Sequence, residues 1–255
     1  MSTAPLGRLL LVPNTLDLGA ENVALQSVLP DRVMQQAAAL RHWACENARS
    51  TRAFLKRLAA LHPLALPLQE IQITELPRPR KGSGETVPRS QWLELLAPAL
   101  QGHDVGLLSE AGLPAVADPG AELVAVAHAA GVAVQPLAGS SALLLALAAS
   151  GLNGQSFAFV GYLPQDSAAR TQRLRALESA SRQHQQTQIC IETPYRNSAL
   201  LAAMLQTLAP STRLSVSLGL SLAEEQNHSA SVADWRNSGW RLSDRLPAVF
   251  LWLAV

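Results

Sequence analysis

Residues 105–151 read VGLLSEAGLPAVADPGAELVAVAHAAGVAVQPLAGSSALLLALAASG, and this stretch decides the fold. Its pattern predicts a strand, a short loop and a helix, followed by the same three elements again. The apolar run 105–109 is typical of a strand that is buried on both faces. Asp118 precedes a proline and a glycine, which predicts a helix start with Asp118 as its N-cap. Two neighbouring strand-to-helix loops of small residues indicate space for a ligand at the carboxyl ends of parallel strands.

The rest of the chain also alternates strands and helices, which favours an α/β fold with a mostly parallel sheet in the first half. The second half is less regular, so hairpins are expected there. Within the 255 residues we expect two α/β domains. They are an N-terminal domain of 1–138 with a mostly parallel sheet and a C-terminal domain of 154–255 with a mixed sheet, joined by a helix at 139–153. The crevice between the halves would contain the opening stretch.

Composition narrows the class of protein. Hydrophobic residues make up 48% of the chain and charged residues 15%, which indicates a globular protein. No apolar run is long enough to cross a bilayer, and the N-terminus lacks the pattern of a secretory signal, so no membrane association is expected. The two cysteines, Cys45 and Cys190, have no metal-ligand spacing and favour a reducing cytoplasm. The six histidines do not cluster, so we expect no metal site.

Five ordered motifs make the interpretation specific. They are CENAR at 45–49, LSEAGLPAVADPG at 108–120, AGSSALLLALAASGL at 138–152, GYLP at 161–164 and ETPYR at 192–196. The chain resembles the tetrapyrrole-methylase superfamily of S-adenosyl-L-methionine-dependent methyltransferases. Its motifs are most similar to those of the ribosomal RNA small-subunit methyltransferase I branch, which methylates a cytidine 2′-hydroxyl. That branch carries AEDTR, SDAGTPxISDPG, PGPSAxxxALxxSGL, GFLPRK and YESPHR in the same order.

The resemblance implies two α/β domains with S-adenosyl-L-methionine in the cleft between them, usually within a homodimer. The cofactor-binding residues that it implies are Pro13, Thr15, Gly112, Leu113, Val116, Ser140, Ser141, Ala142, Ile191, Pro247 and Ala248. This set agrees with the chemistry of the cofactor. Its adenine needs apolar walls, and its methionine carboxylate needs hydroxyls and helix N-termini.

Departures from the branch concentrate in the segments that face the acceptor. Asn47 and Ala48 replace the Asp-Thr of EDTR, and Ser140 replaces the proline of GPS. The family's ELTK run appears here as GLSL at 219–222, without its acid and lysine. RNA methylation is therefore the first hypothesis. The alternatives are methylation of a small molecule such as a tetrapyrrole, and a non-catalytic module that binds S-adenosyl-L-methionine.

Deprotonation of a ribose hydroxyl needs a base, and carboxylates are the candidates. Glu110 is the first choice because it lies at the end of a strand beside the predicted ligand. Asp118 is a further candidate, although the preference of aspartate for N-cap positions favours the cap over a catalytic role. Glu46 and Arg49 lie close together in sequence and are a second candidate pair. Glu192 begins the ETPYR turn, where Arg196 either pairs with it or contacts a substrate phosphate.

A local excess of basic residues indicates a possible RNA contact, in keeping with the small ribosomal subunit as partner. Between positions 41 and 89 nine basic residues face four acidic ones. This pattern fits a surface that binds the phosphates of RNA. The alternative is that these residues lie on a solvated helix face and in a loop, without an RNA contact. The nine are Arg41, Arg49, Arg52, Lys56, Arg57, Arg78, Arg80, Lys81 and Arg89.

Overall fold

The computed structural model describes residues 5–16, 23–79 and 86–255. The chain forms two compact units, Met1–Ser140 and Ser141–Val255. Each unit contains one five-stranded sheet with helices, so the α/β class and the two-unit architecture predicted from sequence are confirmed. The helix expected to connect the units belongs to the second one.

The first unit carries a parallel sheet of order β3-β2-β4-β1-β5. Its strands are β1 (Arg8–Val12), β2 (His42–Cys45), β3 (Gln72–Glu75), β4 (Val105–Leu108) and β5 (Ala133–Pro136). Its α-helices are α1 (Asp31–Ala38), α2 (Ala48–Ala59), α3 (Arg89–Leu100) and α4 (Ala121–Ala129). The parallel arrangement inferred from alternating strands and helices is therefore confirmed.

Helices cover both faces of this sheet. Because successive side chains of a strand point to opposite faces, the inner strands contribute to two separate hydrophobic cores. Leu10 and Val12 of β1 pack with α1 and α2, whereas Leu9 packs with α3 and α4. Gly106, in the middle of β4, has no room for a side chain. A Cβ there would lie 2.8 Å from Leu40 and 2.9 Å from Trp43, so glycine lets these two side chains close over the strand.

The second unit carries a mixed sheet of order β6-β7-β10-β8-β9, in which only β6 and β7 are parallel. Its strands are β6 (Phe157–Phe159), β7 (Thr187–Glu192), β8 (Arg213–Leu218), β9 (Gln226–Ser231) and β10 (Ala248–Leu253). Its α-helices are α5 (Ala142–Ser150), α6 (Ser167–His184), α7 (Asn197–Thr207) and α8 (Val232–Asn237).

The two faces of the second sheet pack differently. The face with Leu214 and Val216 packs against α6, α7 and α8. On the opposite face, β8 presents the small and buried residues Ser215 and Ser217. Helix α5 packs against β8, β9 and β10. The Ser229 hydroxyl fixes α5 by donating to the Ser150 carbonyl at 2.7 Å.

The expected hairpin in this half is present as β8 and β9, although the sequence analysis did not predict β9 or α8. The sequence of β9, QNHSAS, has no apolar alternation because the strand lies at a sheet edge. Throughout the described part of the chain, no helix combines the length and the apolar composition needed to cross a lipid bilayer.

Candidate functional site

The parallel sheet of the first unit brings four loops to one edge. Since β1, β2, β4 and β5 run in the same direction, the segments that follow them all leave from the carboxyl end of the sheet. In open α/β sheets this edge is where ligands bind. The candidate site is built from these loops.

Asn14, the second residue after β1, joins the β1 loop to the β4 loop. Its buried side chain donates from Nδ2 to the carbonyl oxygens of Ser109 and Glu110, at 3.0 Å each. Its Oδ1 accepts from the Thr15 amide at 2.9 Å. The Asn14 amide donates to the Gly112 carbonyl at 2.8 Å, and the Gly112 amide donates back to Thr15 at 3.4 Å. Two segments about 100 positions apart are thus locked together.

The β5 loop closes against the same place. Gly139 lies so close to Pro13 that any Cβ would collide with the proline ring. Gly112 adopts a φ of 64°, and a Cβ there would lie 3.7 Å from the Ser140 carbonyl oxygen. The Ser140 hydroxyl is buried and has no hydrogen-bond partner. Small residues therefore pack three loops at one point and leave one hydroxyl available for a ligand.

Six of the predicted cofactor residues lie in the first unit, and the structure brings four of them together. Pro13, Thr15, Gly112 and Ser140 belong to the joined loops just described. Leu113 and Val116 lie further along the β4 loop. Leu113 is half-buried, and Val116 is 45% exposed.

The other five predicted cofactor residues belong to the second unit. Ser141 and Ala142 begin α5, with Ser141 buried as its N-cap. Ile191 lies near the end of β7 and pairs with Val249 of β10. Ala248 starts β10, and the preceding Pro247 accepts from the Gly219 amide at 2.9 Å. Ile191, Pro247 and Ala248 thus lie at one end of the central strand pair of that sheet.

Glu46 and Glu110, two of the predicted catalytic residues, are in contact. The Glu46 carboxylate, at the end of β2, accepts from the Glu110 amide at 3.1 Å. The Glu110 side chain is exposed to solvent. Glu46 thus fixes the backbone of the β4 loop.

The prediction that Asp118 caps a helix is wrong. Helix α4 begins at Ala121, its N-cap is Gly120 with a φ of 130°, and no side chain caps it. A Cβ at Gly120 would lie 2.9 Å from Leu107, so the loop passes close over β4 before the helix starts. Asp118 is left inside the loop, half-buried and beside Ser109, whose hydroxyl donates to the Ala111 carbonyl at 3.0 Å.

The surroundings of Asp118 hold its proton unusually tightly. Burial is the main cause that raises the pKa of this carboxyl, to about 6. The negative charges of Glu46 and Glu110 raise the pKa further, and the side chain of Ser109 lowers it. Carboxyls with such perturbed pKa values concentrate at functional sites.

The ETPYR turn of the second unit contains an ion pair. Arg196 lies 2.8 Å from the carboxylate of Glu192, whose side chain is almost fully buried. Glu192 also accepts from the amide and the hydroxyl of Thr193, at 2.8 and 3.2 Å. Of the two alternatives for Arg196, the structure shows the pairing with Glu192, and this carboxylate is committed to its own turn.

Three of the nine basic residues form an exposed row on α2, which we call the basic stripe: Arg49, Arg52 and Lys56. Their spacing places them on one helical face. Helix α2 starts directly after β2, where Asn47 caps it by accepting from the Arg49 and Ser50 amides. The stripe therefore begins at the same sheet edge as the joined loops.

The other basic residues are dispersed. Arg78 donates to the Glu46 carbonyl at 2.9 Å, and Arg57 donates to the Val23 carbonyl at 2.6 Å. Arg41 and Arg89 are exposed at the starts of β2 and α3. Arg80 and Lys81, which the sequence analysis also included, lie outside the described residues.

A cavity of about 470 Å³ lies elsewhere in the first unit, beside β2, β3 and α3. His42, Gln72, Thr74 and Glu94 are among its lining residues, and His42 and Gln72 are hydrogen-bonded at 3.1 Å. None of the predicted cofactor or catalytic residues lines it. Among residues 5–16, 23–79 and 86–255, no group of three or more His, Cys, Asp or Glu side chains is arranged to hold a metal ion.

Sequence reasoning did not single out Asn14, and it favoured a helix cap over a catalytic role for Asp118. One signal was available for Asn14: a buried amide directly after a strand can satisfy the backbone groups of a neighbouring loop. The burial of Asp118 is set by the path of the loop, which the sequence pattern does not give.

Comparison with known proteins identifies relatives. Residues 27–234 match the family described as Tetrapyrrole (Corrin/Porphyrin) Methylases. A Ribosomal RNA small subunit methyltransferase I from Pseudomonas aeruginosa is 38% identical over 143 residues, which is 56% of this chain and 49% of the relative. The protein of the same name from Mesorhizobium japonicum is 33% identical over 195 residues, 76% of this chain and 60% of the relative. The chain thus spans about half the length of the curated relatives it matches.

Solved structures share the fold. Uroporphyrin-III C-methyl transferase from Thermus thermophilus, complexed with S-adenyl homocysteine, aligns with a TM-score of 0.52 and 19% identity over 97% of both chains. The methyltransferase CobJ aligns with a TM-score of 0.54 and 17% identity, covering 96% of this chain and 93% of CobJ.

Proposed function

Since the chain belongs to the tetrapyrrole methylase family, we propose that it is an S-adenosyl-L-methionine-dependent methyltransferase acting on RNA. We propose small-subunit ribosomal RNA as the acceptor, because the sequence relatives are named for that RNA. We propose a ribose 2′-hydroxyl as the methylated group, which the motif resemblance implies. The observation that carries the proposal is the set of loops joined by Asn14, Gly112 and Gly139 at the carboxyl edge of the first sheet.

The residues at this edge fit the cofactor. The unpartnered Ser140 hydroxyl supplies a polar contact, and Gly112 and Gly139 leave no side chain between the joined loops. Leu113 and Val116 provide apolar surface suited to an adenine ring. The cofactor, when bound, supplies an electrophilic methyl group. The chain's own task is to hold the acceptor oxygen in line with that methyl group and to receive the acceptor's proton.

The basic stripe supports an RNA acceptor. Three cations on one exposed face of α2 suit consecutive phosphates, and α2 starts at the edge that carries the joined loops. Asn47 caps α2 in place of the family's aspartate, so the helix start keeps its hydrogen bonds without the negative charge.

Calorimetry and methyl transfer test the proposal. The chain should bind S-adenosylhomocysteine and transfer a tritiated methyl group to 30S subunits or naked 16S RNA. Absence of binding at millimolar S-adenosylhomocysteine would refute the cofactor assignment. Transfer to a metabolite extract but not to RNA would favour the small-molecule alternative. Binding without transfer to any acceptor would favour a non-catalytic module.

We also propose a homodimer in the cytoplasm. The second unit exposes large apolar side chains, among them Leu144 (52% exposed) on α5 and Phe157 (42%) on β6, which suit an interface. Both cysteines are free and buried, in keeping with a reducing compartment. Sedimentation velocity should give a mass near twice 27.1 kDa, and a monomer at 50 μM would refute the dimer.

A further inference from the structure

The loop between β4 and α4 folds back on itself and carries Asp118 to the start of the loop. The Ala115 amide donates to the Pro119 carbonyl at 3.3 Å, which closes a short turn around Asp118. The side chain of Asp118 then lies beside Ser109, the first residue after β4, whose hydroxyl donates to the Ala111 carbonyl at 3.0 Å. The same loop contains Gly112, Leu113 and Val116, which the proposed function assigns to the cofactor.

The surroundings of Asp118 are acidic and do not resemble a metal site. The charged groups acting on its carboxyl are Glu46, from the end of β2, and Glu110, from its own loop. Within the described ranges these carboxyls do not form a metal-binding group. Glu46 is already engaged as an acceptor of the Glu110 amide. Asp118 is therefore a half-buried carboxylate next to two negative charges and without a basic partner acting on it.

We propose that Asp118 is the proton acceptor for the hydroxyl group that becomes methylated, an inference that rests on the proposed function. The acceptor oxygen forms its new bond to the methyl carbon as the carbon–sulfur bond breaks, and the sulfur keeps that electron pair. The hydroxyl proton moves to a carboxylate oxygen of Asp118. The products are the O-methylated acceptor, S-adenosylhomocysteine and a neutral Asp118, which then releases its proton to water.

Chemistry favours Asp118 over the other candidates. A pKa of about 6 makes it a stronger base than an ordinary aspartate, while it remains mostly ionised at pH 7.5. Glu110 is exposed to solvent. Glu192 is buried in an ion pair with Arg196. Asp118 alone among these combines partial burial, a place in the loop that carries Gly112 and Leu113, and a raised pKa.

The test compares D118N with E122Q and E110Q in the full chain. E122Q is a matched control because it removes one carboxylate from an exposed position in the first turn of α4. Single-turnover methyl transfer to 30S subunits should fall at least about 100-fold in D118N, the usual contribution of a general base, and stay within about twofold in E122Q. Calorimetry should show S-adenosylhomocysteine affinity within about threefold of wild type in all three variants.

Two pH readouts separate a base from a structural role. The wild-type rate should rise about tenfold per pH unit up to about pH 6 and then level off, whereas the residual rate of D118N should continue to rise. In the absence of cofactor and RNA, a carboxyl resonance that D118N removes should titrate near pH 6 in ¹³C NMR.

Each outcome decides a different question. Wild-type-like transfer by D118N, or a titration of Asp118 near 4, would overturn the proton-acceptor role and leave the proposed function intact. Loss of transfer in E110Q with full activity in D118N would return the role to Glu110. A wild-type chain that binds no S-adenosylhomocysteine would overturn the proposed function itself, and the proton-acceptor role with it.

Discussion

Replacing Asn14 with alanine tests whether one side chain holds the candidate site together. The substitution removes the two bonds that Nδ2 donates to Ser109 and Glu110, and the bond that Oδ1 accepts from Thr15. Each such bond contributes about 1 kcal/mol net, and stranded buried partners add to the loss. Since Asn14 is only 6% exposed, water replaces these bonds poorly. We expect N14A to lower the free energy of unfolding by about 3 kcal/mol.

Urea denaturation measures that loss, and a matched variant separates it from an effect on the site. Asn153, in the second unit, makes the same kind of bonds, donating to Gln185 and accepting from the Gln155 and Ser156 amides. N153A should therefore destabilise its own unit without weakening S-adenosylhomocysteine binding, whereas N14A should weaken that binding at least tenfold. An N14A protein within 0.5 kcal/mol of wild type, or one with unchanged affinity, would refute the reasoning.

Three further predictions concern the same edge. G139A should cost about 1–3 kcal/mol in urea denaturation, because its methyl group collides with Pro13, and it should also weaken S-adenosylhomocysteine binding; unchanged stability would contradict the close packing. D118N should raise the melting temperature above pH 6 and leave it unchanged near pH 4. In the folded state the pKa of Asp118 is raised from its ordinary value of 3.8 to about 6. The proton on Asp118 therefore stabilises the fold fully below about pH 3.8, and that stabilisation is lost as the pH rises through 6. Equal melting temperatures of D118N and the wild type at pH 7.5 would contradict this expectation. Reversing the three residues of the basic stripe to glutamates should weaken RNA binding in filter assays. The slope of log affinity against log salt concentration should fall by about two, since each phosphate contact in single-stranded RNA contributes about 0.7. An unchanged slope would show that the stripe does not contact RNA.

Strand and helix periodicity predicted the first unit well because the inner strands of its sheet, β1, β2 and β4, are buried on both faces. Strand β4 begins at the predicted residue and ends one residue before the predicted end. The polar strand β9 was missed because it is an edge strand, where burial imposes no alternation on the sequence.

From the sequence, the site could be predicted only where it follows from the shared direction of the parallel strands. Parallel strands place the segments after them at one edge, so Pro13, Thr15 and Gly112 could be grouped from sequence. The position of Asp118 depends on two alanines, Ala115 and Ala117, with φ values of 64° and 63°, a conformation that alanine rarely adopts. Local preference predicts a cap there, and the tertiary path of the loop overrides it.

The position of β1 in the middle of its sheet has a consequence for synthesis. Arg8 at its start bonds to Asp104, 96 positions later, and β5 on its other side is later still. During translation the apolar strand RLLLV therefore emerges long before either neighbour exists. Such a high contact order favours slow folding and a period of exposure to aggregation. A nascent chain stopped before residue 105 should depend on chaperones, whereas one extended past residue 140 should resist proteolysis without them.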